Sequence, residues 1–213
     1  MVVIDSTDAL APNERRAISD EVANIVGGLS VGELISVHFL DSTTQSGLSD
    51  ATFHKCKPRN GQSANFVNEN PRFVQKVYEE EFERPLLAAA ASAQANGGAL
   101  AQTSPIIEAI FDASRMSWFE DAVGHRRLVI FSDLLQNSPI LRQYRNPTAY
   151  ATFAASDRTG VAAPELSGVD VEVFKIARSD DRGGGQQTAM HEKFWQDYFA
   201  AAHVRSLKIR RIR

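Results

Sequence analysis

Short apolar runs alternate with longer amphipathic stretches along the 213 residues of this chain. The short runs are rich in β-branched and aromatic residues, which is typical of strands in a buried sheet. They predict five main strands, at residues 2–5, 34–40, 126–132, 169–176 and 206–212.

The stretches between these strands have apolar residues three and four positions apart, which indicates helices. Pro12 and Pro105 each suit the first position of a helix, so that Ser104 is the natural N-cap of the helix that Pro105 begins. Pro85 is expected to kink or split its helix. The predicted helices cover residues 12–27, 71–95, 105–114 and 187–203, with one or two short helices within 138–157.

Strands that alternate with helices indicate a mostly parallel sheet covered on both faces. We therefore predict an α/β fold, a Rossmann-like three-layer sandwich whose central sheet has about six strands. Strands 2–5 and 128–133 should be adjacent, parallel and central. The polar connection 41–70 is long for a domain of this kind, unless it is functional or carries a small edge element. We predict a single domain over residues 1–213, with a loop and helical insertion at about 41–100.

Composition and charge restrict the partners. A formal net charge of −3 gives no general reason to expect nucleic acid or an anionic membrane. The basic ending at 206–212 is predicted to pair in the sheet, with Leu207 and Ile209 facing the covering helices. Apolar runs stay well below the length of a membrane span, so we expect no membrane contact within this chain.

The expected location is the cytoplasm. Cys56 is the only cysteine and cannot form an intramolecular disulfide, so the chain has no signature of an oxidising compartment. No signal peptide is recognisable. Met1 lies almost directly on the first strand, which leaves open an N-terminal anchor or domain upstream.

Oxygen-bearing side chains follow two of the predicted strands. Asp5 and Thr7 come directly after the first strand, and Asp133 follows strand 126–132. Open α/β sheets hold their ligands where the strands end, and we call that edge of the sheet the carboxyl rim. Carboxylate and hydroxyl oxygens suit a hard cation such as Mg²⁺. Alternatively, Asp5 and Thr7 only order the turn before the next helix.

These residues resemble the metal-ion-dependent adhesion site of von Willebrand factor A (vWA) domains. That site has the pattern D-x-S-x-S, then a distant Thr and a distant Asp. Asp5 matches the first aspartate of this pattern, and Thr103 and Asp133 match the distant pair. Thr7 keeps a hydroxyl at the first serine position, but Ala9 stands at the second and cannot bind metal. The resemblance covers essentially the whole chain by element order, and only these few residues by motif. It implies a degenerate site.

The resemblance implies a protein-interaction module rather than an enzyme. Asp5, Thr7, Thr103 and Asp133 would converge on one small polar pocket that binds Mg²⁺ weakly. An acidic residue of a partner protein would complete the coordination of that metal. Because Ala9 lacks a hydroxyl, we expect stabilisation only at about millimolar metal.

The alternative is a metal-dependent phosphohydrolase that uses Asp5. Haloacid-dehalogenase-like phosphohydrolases begin with D-x-D-x-T/V, in which the first aspartate is the nucleophile. Thr7 replaces the second aspartate, the general acid/base of that chemistry. Asp180-Asp181, the late acidic pair, does not directly follow a strand. The serine-hydrolase pattern G-x-S-x-G occurs at residues 28–32, but there it follows a predicted helix, whereas a nucleophile elbow follows a strand.

Overall fold

A computed structural model of the protein describes residues 1–44, 46–65, 67–92, 103–119, 124–145, 148–179 and 184–212. Its centre is a six-stranded sheet with the order β3-β2-β1-β4-β5-β6. Only the β2–β3 pair of this sheet is antiparallel. The predicted α/β three-layer fold is confirmed. The strands are β1 Val2–Ile4, β2 Leu34–Phe39, β3 Phe53–Cys56, β4 Arg126–Ser132, β5 Val169–Ile176 and β6 Ser206–Ile212.

The helices cover both faces of this sheet. The helices are α1 Pro12–Gly28, α2 Pro71–Tyr78, α3 Arg84–Ser92, α4 Ile106–Ser114, α5 Tyr150–Ser156 and α6 Ala189–Ala201. Val2 and Ile4 of β1 face a buried cluster on one side of the sheet, which includes residues of α1 and α3. Val3 faces the cluster on the other side, which includes residues of α4, α5 and α6. This alternation is the two-residue period of a strand buried on both sides.

Strands β1 and β4 are the two central strands, as predicted. They run parallel, with Ile4 opposite Phe131. The Asp5 amide then donates to the Phe131 carbonyl at 2.8 Å, so the chain leaves β1 alongside the end of β4. This register places Asp5 and Asp133 at the same rim of the sheet.

Pro85 interrupts the second predicted helix, as expected. A π-helical turn, Glu79–Glu83, separates α2 from α3. Proline has no amide hydrogen to donate to the carbonyl four residues before it, at Glu81. Lys55 of β3 donates to that carbonyl from its Nζ at 3.1 Å. The predicted end of this helix, at residue 95, lies outside the described residues.

The predicted start of α4 is wrong by one position. Pro105 is the N-cap, and the helix begins at Ile106. The backbone of Ser104 instead pairs with Asn137, with N–O distances of 2.7 and 2.9 Å. The Ile107 amide donates a hydrogen bond to the side-chain oxygen of Gln136, at 2.8 Å. A residue from a distant loop therefore does the capping that the local sequence assigned to Ser104.

Two further segments of the chain supply the edge strands of the sheet. The long connection 41–70 carries the edge strand β3, which is antiparallel to β2. At the other edge of the sheet, β6 pairs in parallel with β5, while Leu207 and Ile209 pack against the core cluster that contains α4, α5 and α6. The predicted structural role of the basic ending is confirmed for 206–212. None of the described helices is long and apolar enough to cross a membrane.

Candidate functional site

Asp5 is buried at the carboxyl rim, where it is 1% exposed. Its Oδ1 accepts hydrogen bonds from the Thr7 amide at 3.0 Å and the Thr7 hydroxyl at 2.6 Å. Its Oδ2 accepts from the Ser132 hydroxyl at 2.7 Å and, at the long distance of 3.5 Å, from the Ser104 hydroxyl. This carboxylate therefore joins its own turn to the end of β4 and to the segment before α4.

The Asp5–Thr7 turn is a local device that recurs in this chain. Oδ1 of Asp41 accepts from the Thr43 amide and hydroxyl at 2.8 and 2.6 Å. Oδ1 of Asp157 does the same with Thr159, at 2.8 and 2.7 Å. The alternative reading of Asp-x-Thr as a turn-forming motif thus describes the geometry of all three. What distinguishes Asp5 is its burial and the hydroxyls that reach its second oxygen.

We expect Asp5→Ala to destabilise the fold by about 1–3 kcal/mol, because buried donors lose their acceptor. Asp41→Ala removes the same turn from an exposed loop, where water replaces the carboxylate, and should change stability by less than about 1 kcal/mol. Urea denaturation of both variants measures the difference. Equal losses would show that the contacts of the Asp5 Oδ2 contribute nothing.

Thr103 does not join this network in the way the sequence suggested. It is half-buried, and among the described residues no hydrogen bond links it to Asp5 or Asp133. The hydroxyl that approaches Asp5 from this segment belongs to Ser104, which is free for the purpose because it does not cap α4. Of the four predicted residues, Asp5 and Thr7 are joined by hydrogen bonds, and Asp133 lies at the same rim.

Asp133 makes an ion pair that the sequence did not suggest. Its Oδ1 accepts from the Leu135 amide at 2.8 Å, and its Oδ2 accepts from Nε of Arg178, also at 2.8 Å. The Arg178 side chain is 1% exposed. Its terminal nitrogens lie 3.7 Å from Glu14 Oε2 and 3.8 Å from Asp8 Oδ2. A buried guanidinium is therefore surrounded by carboxylates at the carboxyl rim.

These charges act on one another's protonation. Burial, and then the charge of Asp5, raise the pKa of Asp133 to about 7, although Arg178 opposes this shift. For Arg178, burial opposes the charged form, but the charge and hydrogen bond of Asp133 outweigh it and raise its pKa. The Tyr144 hydroxyl donates to Asp8 Oδ2 at 3.2 Å, and burial together with the charge of Asp133 raises the pKa of this tyrosine.

The site also contains residues that the sequence did not single out, among them Ser132, Tyr144 and Arg178. A signal for Arg178 was present, since it follows β5 by two residues and β5 is the neighbour of β4. The rule that selected Asp5 and Asp133, namely polar residues just after a strand, selects Arg178 as well. Tyr144 lies in a connection without regular pattern and offered no such signal.

The backbone next to Asp133 adopts an unusual conformation. Leu134 has φ of 62°, in the left-handed region that costs a non-glycine residue about 1–2 kcal/mol. Its amide donates to the Ser132 hydroxyl at 2.9 Å, and its carbonyl accepts from Trp195 Nε1 at 2.8 Å. His191 Nε2 lies 2.8 Å from the same carbonyl. Helix α6 therefore fixes the turn that presents Asp133.

His191 should make stability depend on pH. Burial lowers its pKa to about 4, below its ordinary value of 6.5. Between these values the unfolded chain binds a proton that the folded protein does not, so stability falls as pH decreases from about 6.5 towards 4. We expect His191→Gln to remove a loss on the order of 2 kcal/mol between pH 7 and 5. Urea denaturation at both pH values measures it. Unchanged pH dependence in the variant would contradict this assignment.

The side chains at the rim do not fit a divalent cation as they are arranged. Among the described residues, no group of three or more His, Cys, Asp or Glu side chains is placed to hold a metal ion. Mg²⁺ requires about six oxygens near 2.1 Å. Here both oxygens of Asp5 accept hydrogen bonds from protein donors, and Asp133 Oδ2 is in contact with Arg178. Mg²⁺ binding stays a prediction, without support from this geometry.

Comparison with known proteins gives distant likenesses only. No protein-family model matches the chain, and no curated protein matches it. One similar solved structure is an aerotolerance-related membrane protein from Bacteroides fragilis NCTC 9343 with multiple mutations to serines. It is 12% identical with a TM-score of 0.44, over 99% of this chain and 90% of that chain. Another is the conserved hypothetical protein BatB from Bacteroides thetaiotaomicron, 14% identical with a TM-score of 0.44, over 100% of this chain and 89% of that chain. These likenesses concern the fold alone.

Proposed function

We propose that this protein is a vWA-type interaction module that binds a partner protein at the carboxyl rim of its sheet. The observation that carries the proposal is the pairing of the rim's buried polar side chains with one another. Asp5, Asp133 and Arg178 are occupied by protein contacts, so they shape the rim and are not exposed to a substrate. Contact with a partner is then left to the exposed residues around them.

Exposed apolar side chains lie in the connections that leave the strands at the carboxyl rim. Ile140 follows β4 and is 36% exposed, and Met190 at the start of α6 follows β5 and is 54% exposed. Exposed methionine suits an adaptable protein contact, because its side chain is flexible and polarisable. We therefore assign the partner surface to the region around Ile140 and Met190. A nucleic-acid partner forms no part of this proposal.

The phosphohydrolase alternative has less support. A nucleophilic aspartate must reach its substrate, whereas Asp5 is buried and both of its oxygens accept hydrogen bonds. Thr7, at the position of the general acid/base, donates to Asp5. Hydrolysis of p-nitrophenyl phosphate in the presence of Mg²⁺ tests the alternative. Turnover that disappears in Asp5→Asn would reverse the order of the two functions.

Site-specific photo-cross-linking tests the interaction proposal. A photoreactive phenylalanine analogue at position 190 should capture one partner protein in cells of the organism whose genome encodes this protein. The matched control is position 31, because Val31 is 53% exposed and lies between α1 and β2, at the rim opposite the carboxyl rim. The proposal predicts capture from position 190 and none from position 31. Capture of the same partner only from position 31 would place the interaction elsewhere.

A further inference from the structure

We propose that the guanidinium of Arg178 takes the place of a divalent cation at the carboxyl rim, and that the fold therefore needs no metal there. The proposal concerns the cation that holds the rim together. It does not depend on the partner or on the proposed function.

The position of Arg178 supports this inference first. It leaves β5 two residues after Ile176, and β5 is hydrogen-bonded along its length to β4, which leads into Asp133. Its side chain crosses the rim to Asp133, and also approaches Asp8 after β1 and Glu14 in α1. One buried side chain thus connects the segments that follow three neighbouring strands.

The charges at the rim favour a cation. Asp5 and Asp133 are 1% and 2% exposed, and burial together with the charge of Asp5 disfavours the ionised form of Asp133. Burial of such carboxylates is strongly unfavourable unless a positive charge or hydrogen bonds compensate. Arg178 supplies that charge, and the charges of Asp133, Asp5 and Asp8 in turn hold it in its protonated form.

The guanidinium and a metal ion would compete for the same oxygen. Nε of Arg178 lies 2.8 Å from Asp133 Oδ2. Mg²⁺ bound to that oxygen would lie about 2.1 Å from it. At that distance the positive charges of Mg²⁺ and the Arg178 guanidinium would repel each other. The terminal nitrogens Nη1 and Nη2 are buried and form no hydrogen bond within the described residues; Glu14 Oε2 lies 3.7 Å from Nη1 and Asp8 Oδ2 lies 3.8 Å from Nη2. Occupation by one cation therefore excludes the other.

Thermal unfolding with and without Mg²⁺ tests the proposal. The melting temperature of the wild type should be the same, within about 1 °C, in EDTA and in 10 mM MgCl₂. Arg178→Gln should melt lower in EDTA and gain about 3–6 °C with Mg²⁺, the shift expected when the concentration is about ten times the dissociation constant. Arg178→Lys keeps the charge and should gain less than Arg178→Gln. Stabilisation of the wild type by Mg²⁺, or no gain in Arg178→Gln, would overturn the proposal.

A second measurement keeps the proposal testable if Arg178→Gln does not fold. Mn²⁺ broadens the NMR signals of nearby amides, so a metal at the rim would broaden those of Thr7 and Leu135 in the ¹⁵N-labelled wild type. We expect these amides to respond no more than the remote amide of Val31. Selective broadening of Thr7 and Leu135 at millimolar Mn²⁺ would show that a metal enters beside Arg178, and the proposal would fail.

Discussion

Trp195→Ala is expected to destabilise the protein by about 3–5 kcal/mol, the usual effect of truncating a large buried aromatic side chain. Trp195 is fully buried in α6, and its ring contacts those of Phe194, Tyr198 and Phe199. Its Nε1 also donates to the Leu134 carbonyl, which belongs to the turn beside Asp133. The substitution therefore removes apolar packing and loosens the carboxyl rim at the same time. Urea denaturation measures the loss.

Two variants of the same helix separate these contributions. Trp195→Phe keeps an aromatic ring but removes the donor to Leu134, and should cost about 1–3 kcal/mol. Met190→Ala removes an exposed side chain and should stay within about 0.5 kcal/mol of the wild type. A loss for Trp195→Ala no larger than that for Met190→Ala would show that α6 is not part of the core.

The sequence was most informative where local and global requirements agree. The central position of β1 and β4 could be predicted, because each is a short β-branched run followed by an aspartate. The break near Pro85 could be predicted because proline lacks an amide hydrogen. The start of α4 could not, since its cap comes from Gln136 in a distant loop. Local capping rules fail where tertiary structure supplies the acceptor.

The candidate site was predictable to a smaller extent. The carboxyl-rim rule located Asp5 and Asp133, and Thr7 followed from its spacing. The rule selected carboxylate and hydroxyl oxygens, because these suit a hard cation such as Mg²⁺. It therefore passed over Arg178, a cation at the end of the next strand. Which of Thr103 and Ser104 approaches Asp5 depends on the backbone pairing of Ser104 with Asn137, which no local pattern reveals.

Asp133→Ala is the second substitution from which we expect a large effect, a loss of about 3–5 kcal/mol. It removes the acceptor of Arg178 Nε and that of the Leu135 amide, both of which are buried. Removing one partner of a buried ion pair is costly because the other charge stays out of water without compensation. Urea denaturation at pH 7, with the slope compared to that of the wild type, measures the loss.

The matched control for Asp133 is Asp170, whose carboxylate accepts from Nε of Arg205 at 2.9 Å near the protein surface. Because that pair is solvent-exposed, Asp170→Ala should cost less than about 1 kcal/mol. Asp133→Asn keeps one acceptor oxygen and removes a charge that burial already disfavours, as the pKa of about 7 shows, so it should cost less than Asp133→Ala. Similar losses for Asp133→Ala and Asp170→Ala would mean that Arg178 finds its compensation in Asp8 and Glu14 alone.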